Sequence, residues 1–258
     1  MAGVLPALML TLLAGLSTGI GGAITLAARR DSRGFLAASL GFSAGVMVYV
    51  SLVEMLLKAR ELLSAALGAR GGGWAAAGAL FGGMALIAAL DRLVPETPAC
   101  ARRGEARPAE LMRMGAFTAL AIALHNFPEG LATFVSALSE PGMGMPIVAA
   151  IAVHNIPEGI AVATPIYRAS GSRARAFWLA LASGLAEPAG ALLGWLVLMP
   201  VMSDAVFGAV FAAVAGIMVF ISFDELLPTA REYGGHKLAL GGLVLGMAVM
   251  AASLVLFM

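Results

Sequence analysis

One six-residue phrase occurs twice in this chain, as His125-Asn126-Phe127-Pro128-Glu129-Gly130 and as His154-Asn155-Ile156-Pro157-Glu158-Gly159. Both copies sit in the middle of strongly apolar segments. Residues four apart share a helix face, so each copy sets an imidazole beside a carboxylate. The proline between them has no N–H to donate and crowds the carbonyl four residues back, which predicts a helix bent where its polar groups lie. Such a pair can ligate a metal, hydrogen-bond as interhelical glue or relay protons, and the residue types alone leave these open.

The spacing of the copies narrows the choice. Between them Glu140-Pro141-Gly142-Met143-Gly144 supplies breakers, which predicts an antiparallel helix pair joined by a tight turn. Counting outward from that turn, Glu129 falls level with His154 and His125 with Glu158, inside a slab about 6 Å deep. Four potential ligands then meet. A third acid, Glu187, lies in another apolar run, and a carboxylate inside a membrane costs about 2.5 to 3.5 kcal/mol on insertion scales. No basic residue is expected at that depth, so a divalent cation is the economical counter-charge. Imidazole, carboxylate and amide oxygen without thiolate suit Zn²⁺, Fe²⁺, Mn²⁺ or Co²⁺ and disfavour Cu⁺.

The elements that must position these groups are membrane spans. The 258 residues are 60% hydrophobic and 12% charged with 32 glycines, and their mean hydropathy is +0.94. That suits an all-α integral membrane protein. A net charge of +1 argues against nucleic acid as a partner, and a lone cysteine, Cys100, against a disulfide framework or thiolate site. Apolar runs of about 20 residues begin near Val4, Phe35, Trp74, Met114, Met145, Ala174, Asp204 and Lys237, predicting eight spans. The first has no basic n-region before it and reads as a retained span.

Arg29, Arg30, Arg33, Arg92, Arg102, Arg103, Arg107, Arg113, Arg168, Arg173, Arg175, Arg231 and Lys237 fall on one side of these spans, against Lys58, Arg60 and Arg70 on the other. This asymmetry predicts both termini outside. Residues 95–112 then form a polar cytoplasmic loop, expected to be mobile.

The flanks repeat as well. Ala44 to Ser51 with Glu54 matches Ala215 to Ser222 with Glu225, and Gly15-Leu16-Ser17-Thr18 matches Gly184-Leu185-Ala186-Glu187. The first span enters from outside and the sixth from inside, so residues 1–94 and 169–258 read as inverted three-helix repeats around a central pair, 113–168. Inverted repeats with interrupted helices point to a transporter with a midplane site. Glu54, at the outer end of the second span, and Asp224-Glu225, at the inner end of the seventh, are candidates for collecting and receiving ions along a pathway. Carboxylates at helix ends also simply meet water.

The paired boxes, with Ser183 to Glu187 and Phe223-Asp224-Glu225-Leu226-Leu227-Pro228, resemble the ZIP family of divalent metal transporters, and within it the bacterial zinc-uptake branch. The likeness covers essentially the whole chain as one transmembrane domain. It implies a 3+2+3 arrangement of the eight helices and a binuclear metal centre. One site would use His125, Glu129, His154 and Glu158, and the second Asn126, Asn155, Glu187 and the shared Glu129 and Glu158. Met47 would bring its sulfur near the first.

The resemblance further implies import of Zn²⁺, and of Fe²⁺, Mn²⁺, Co²⁺ and Cd²⁺, by an elevator-like movement of spans one, four, five and six. The protein would be a homodimer in the inner membrane, with metal as cargo and no cofactor. Two features depart from many relatives. The loop before the fourth span has no histidine cluster, and His154-Asn155 stands where some relatives have Gln-Asp, leaving the second site less acidic. An intramembrane zinc hydrolase is the alternative of another class, although the chain has no HExxH helix, and a proton-coupled carrier of organic solutes is a third.

Overall fold

The computed structural model describes residues 3–27, 32–93, 108–139, 144–198 and 203–256, and these are almost entirely helical. The elements are α1 (Val4–Ala27), α2 (Arg33–Tyr49), α3 (Leu56–Leu93), α4 (Pro108–Ser139), α5 (Gly144–Ser170), α6 (Arg173–Gly184), α7 (Ala186–Leu193), α8 (Asp204–Ile221) and α9 (Leu227–Leu256). Arg29, Arg30, Cys100, Arg102, Arg103, Arg107, most of the 95–112 loop and the breakers at 140–143 lie outside the described residues.

Serines start three of the helices. Ser32, Ser172 and Ser203 are extended and accept from the backbone N–H three residues on, at 3.2, 3.2 and 3.3 Å, satisfying donors that the first turn leaves over. Helices α4 and α5 run on through Pro128 and through Pro157 and Pro165. The run expected as the sixth span forms one apolar stretch, Arg173–Val197, within which Leu185, with φ −67° and ψ −7°, separates α6 from α7 and a π-helical turn follows at Gly194–Leu198.

Further π-helical turns join α2 to α3 at Val50–Met55 and α8 to α9 at Ser222–Leu226. The two carry Glu54 and Glu225, the paired carboxylates of the sequence repeat. Each is followed by a glycine with positive φ, Gly68 (φ 75°) in α3 and Gly235 (φ 76°) in α9, where the helical path is interrupted. Only glycine adopts that backbone readily.

Among the described residues four stretches are long and apolar enough to cross a bilayer: Val4–Ala27, Arg33–Leu90, Arg173–Val197 and Asp204–Leu256. The polar boxes dilute the apolar runs of α4 and α5, which are not among them. Leu5, Met9, Leu13, Leu16, Ile20 and Ile24 form an exposed stripe along α1, an arrangement that lipid stabilises and water does not.

Glycines set the closest helix contacts, and those contacts follow the sequence repeat. Gly45 and Gly246 pack on the backbone carbonyls of Leu243 and Phe42, joining α2 to α9, while Gly216 and Gly83 pack on those of Leu80 and Ala213, joining α8 to α3. The second pair of contacts is the first carried over by the repeat. Gly15 and Gly184, matched in sequence, touch each other's carbonyls. Not every glycine serves this purpose, since Gly82, beside Gly83, faces open space.

Packing falls into two groups. Helix α2 lies mainly against α9 and α3 against α8, while α1 packs on α5 and α6, and α4 on α5 and α7. The first group holds a large core that includes Leu40, Met47, Val50, Met218, Ile221 and Met250.

Candidate metal centre

Helices α4 and α5 lie side by side and bring the two boxes into register. His154 Nε2 lies 2.8 Å from Glu129 Oε1, and His125 Nε2 lies 3.3 Å from Glu129 Oε2 and 3.7 Å from Glu158 Oε1. The pairing of Glu129 with His154 and of His125 with Glu158 is the one that counting from the turn predicts. Ligand atoms of His125, Glu129 and His154 all fall within 4.8 Å of one another. Donor atoms held tetrahedrally at about 2.0–2.2 Å from one zinc ion stand roughly 3.3–3.6 Å apart, so the observed separations already bracket that spacing. The two imidazole rings are 6.3 Å apart, centre to centre.

The asparagines are held in a matching way by the flanking helices. Asn126 Nδ2 donates to the carbonyl of Ser183 at 3.2 Å, and Asn155 Nδ2 donates to the carbonyl of Ala14 at 3.1 Å. Ala14 and Ser183 immediately precede the matched Gly15 and Gly184, so both boxes dock through one repeated contact. Thr18 and Glu187 break this symmetry. The repeat aligns them, yet only Glu187 carries charge, and its Oε1 accepts a short hydrogen bond from Asn155 Nδ2.

The last residue of each box explains itself only in three dimensions. Gly130 packs on the backbone of Glu187 and Gly190 on that of Phe127, while Gly159 packs on the carbonyl of Thr18 and Gly21 on that of Ile156. Side-chain-free positions thus let α7 approach α4, and α1 approach α5, at the level of the polar groups. Ser43 of α2 adds a hydrogen bond to the carbonyl of Pro157 at 2.7 Å. A polar residue facing the box from another helix gives no sequence signal beyond its type.

The electrostatics are those of a site short of positive charge. His125, Asn126, His154, Asn155, Glu158 and Glu187 are buried. Asn126 Oδ1, Asn155 Oδ1, Glu129 Oε2, both oxygens of Glu158 and Glu187 Oε2 are buried without a hydrogen-bond donor among the described residues. Buried acceptors left without a partner are costly. A cation answers carboxylate and amide oxygens and neutral imidazole nitrogens together.

A cavity of about 250 Å³ reaches this cluster, lined by Val50, Glu54, Met55, Lys58, His125, Glu129 and Phe211. Glu54 is exposed and shares that wall with two box residues. Lys58 also lines the cavity, with its half-exposed side chain paired to Glu61 at 3.0 Å. Met47 is fully buried one turn before Val50, in the core between the helices. Asp224 is exposed on the second π-helical turn, and Glu225 Oε1 lies 3.6 Å from Arg113 Nη2 of α4.

A sequence profile described as ZIP zinc transporter matches residues 96–254. The chain belongs to the ZIP family. It is 55% identical to the zinc transporter ZupT of Streptococcus mutans over 97% of each chain. It is 57% identical to the ZupT of Corynebacterium glutamicum over 96% of this chain and 97% of the relative, and 50% identical to that of Clostridium perfringens over 100% and 98%. A ZIP protein is a membrane transporter, and the hydrolase alternative falls with that membership. Within this ZIP chain, both boxes and Glu187 lie inside the matched region, whereas Met47, Glu54 and Lys58 precede it.

Proposed function

We propose that this ZIP protein imports Zn²⁺ into the cytoplasm, holding the ion between α4 and α5 during alternating access. The observation that carries the reading is the cluster of His125, Glu129 and His154 ligand atoms within 4.8 Å, surrounded by buried carboxylate and amide oxygens that have no donor among the described residues. Glu129, whose two oxygens face both imidazoles, is the central ligand. His125, His154 and Glu158 complete a first site. Asn126, Asn155 and Glu187, with Glu129 and Glu158, offer a second, and Met47 of α2 would bring its sulfur near the first. Borderline nitrogen and oxygen donors also admit Fe²⁺, Mn²⁺, Co²⁺ and Cd²⁺. Such a site can be pulled apart to release its cargo, because its ligands come from separate helices.

Eight crossings in a 3+2+3 order fit the helix lengths. The stretch Arg33–Leu90 has 58 residues and Asp204–Leu256 has 53. At about 1.5 Å per residue each far exceeds a hydrocarbon core of about 30 Å, so each crosses twice, turning at Gly68 and Gly235. The boundaries are then 1–94 and 169–258 for the repeats, 95–112 for the inner loop and 113–168 for the central pair, with both termini outside the bacterial inner membrane. The grouping of α1, α4, α5, α6 and α7 apart from α2, α3, α8 and α9 supports an elevator-like motion of the first group. The second group supplies a fixed wall, with Glu54 on the entry side and Asp224 and Glu225 on the exit side, and a surface for homodimer formation.

Uptake of radiolabelled Zn²⁺ into proteoliposomes tests this reading. The parent is expected to accumulate metal, and His125→Ala and Glu158→Ala, shown to be folded by size-exclusion profile, to lose it. Equal uptake by all three would remove the boxes from the mechanism.

A further inference from the structure

The cavity above the boxes holds one cation of its own. Lys58 lines it together with Glu54, His125 and Glu129, yet its ammonium is drawn to the rim, 3.0 Å from Glu61 Oε2. Side-chain exposures of 53% for Lys58 and 69% for Glu61 place that ion pair in water, where such pairs hold weakly. Glu54, Lys58 and Glu61 stand at successive turns of one helix face. Residues four apart on a helix are near enough for a lysine and a glutamate to pair, so the flexible stem of Lys58 serves either carboxylate. Bound to Glu61, it leaves Glu54 exposed on the cavity wall. Bound to Glu54, it would neutralise the outermost carboxylate of the path and stand in the mouth.

The second π-helical turn carries a carboxylate that is already paired, with a basic residue of α4. Glu225, the repeat counterpart of Glu54, lies 3.6 Å from the guanidinium of Arg113 and is largely covered. Each π-helical turn therefore presents a carboxylate with a basic side chain in reach, engaged at one end of the molecule and displaced at the other.

We propose that Lys58 is a specificity-determining residue for cation entry, a tethered ammonium that competes with the incoming ion for Glu54 while Glu61 sets the outcome. This rests on the import reading above. While Lys58 occupies Glu54, an ion gains that carboxylate only by displacing a monovalent ammonium, which disfavours cations that bind carboxylate weakly. A competitor that acts only on the empty mouth changes KM and leaves kcat alone.

The test is the kinetics of radiolabelled Zn²⁺ uptake by the full-length protein in proteoliposomes, for the parent, Lys58→Met, Glu61→Gln, the double variant, and Lys58→Met in a Glu54→Gln background. Lys58→Met is expected to lower KM about threefold, the size of one exposed ion-pair exchange, with kcat unchanged. Glu61→Gln raises KM by a similar factor, the double variant returns to the Lys58→Met value, and in Glu54→Gln the lysine substitution has no effect.

An unchanged KM in Lys58→Met overturns the proposal, as does a Glu61→Gln effect that survives removal of Lys58, which would mark a general surface-charge effect. In either case parental uptake that disappears in His125→Ala leaves the import reading standing. Absence of uptake by the parent itself overturns both.

Discussion

Replacing Gly130 by alanine tests whether the box glycine is there to let α7 reach the metal ligands. A Cβ at Gly130 would lie 2.5 Å from the carbonyl carbon of Glu187 and 2.6 Å from its Cα, where ordinary contact begins at 3.4 Å. Both neighbours are backbone, so no rotamer change relieves the clash, and α4 and α7 must part by roughly 1 Å. Overpacking of this kind costs about 1–3 kcal/mol. The same displacement carries Glu187 away from Asn155 and from the box. In sites that depend on exact placement, an error of about 1 Å costs up to about 10²-fold.

Gly78→Ala is the control, because Gly78 sits in a helix with nothing within 4 Å of the added carbon. Helix propensity there makes alanine neutral or stabilising by up to about 1 kcal/mol. Thermal unfolding in detergent, followed by intrinsic fluorescence, and initial Zn²⁺ uptake are measured on both variants. Gly130→Ala is expected to lower the midpoint and to reduce uptake at least about tenfold, and Gly78→Ala to do neither. Matching results for the two would refute the close-approach argument. A lowered midpoint with uptake intact would show that the position of α7 does not govern the site.

Two further substitutions probe the frame. Ser43→Ala removes the buried 2.7 Å hydrogen bond to the Pro157 carbonyl and is expected to destabilise by about 1 kcal/mol in detergent unfolding; an unchanged midpoint would mean that the carbonyl finds another donor. Gly68→Ala forces a side chain into φ 75°, ψ 159°, a backbone essentially confined to glycine, at a cost of about 1–3 kcal/mol. Gly73→Ala, in open helical surroundings, carries no such strain, so equal midpoints for the two would argue against a glycine-specific turn.

What the sequence by itself determined was everything that depends on helical period and counting. His125 and Glu129 share a face because four residues make about one turn, and Glu129 meets His154 because the two boxes are equidistant from one turn. The internal repeat was legible too, since matched phrases such as Ala44 to Ser51 and Ala215 to Ser222 need only alignment. Apolar runs marked the four stretches long enough to cross a bilayer for the same reason, that length and hydropathy are local properties.

Tertiary structure decided which groups from different helices meet, because that depends on crossing points and approach distances that no local propensity encodes. It set Asn126 and Asn155 on the carbonyls of Ser183 and Ala14, and Gly130 against Glu187. It interrupted the helix within Arg173–Val197 at Leu185. A π-helical turn at Val50–Met55 carries Glu54 on the cavity wall, and Lys58, which by sequence belonged to an outer loop, lines the same cavity with its ammonium on Glu61. The sequence supplied the ligands, and the close packing of helix backbones at glycine determined which of them share one place.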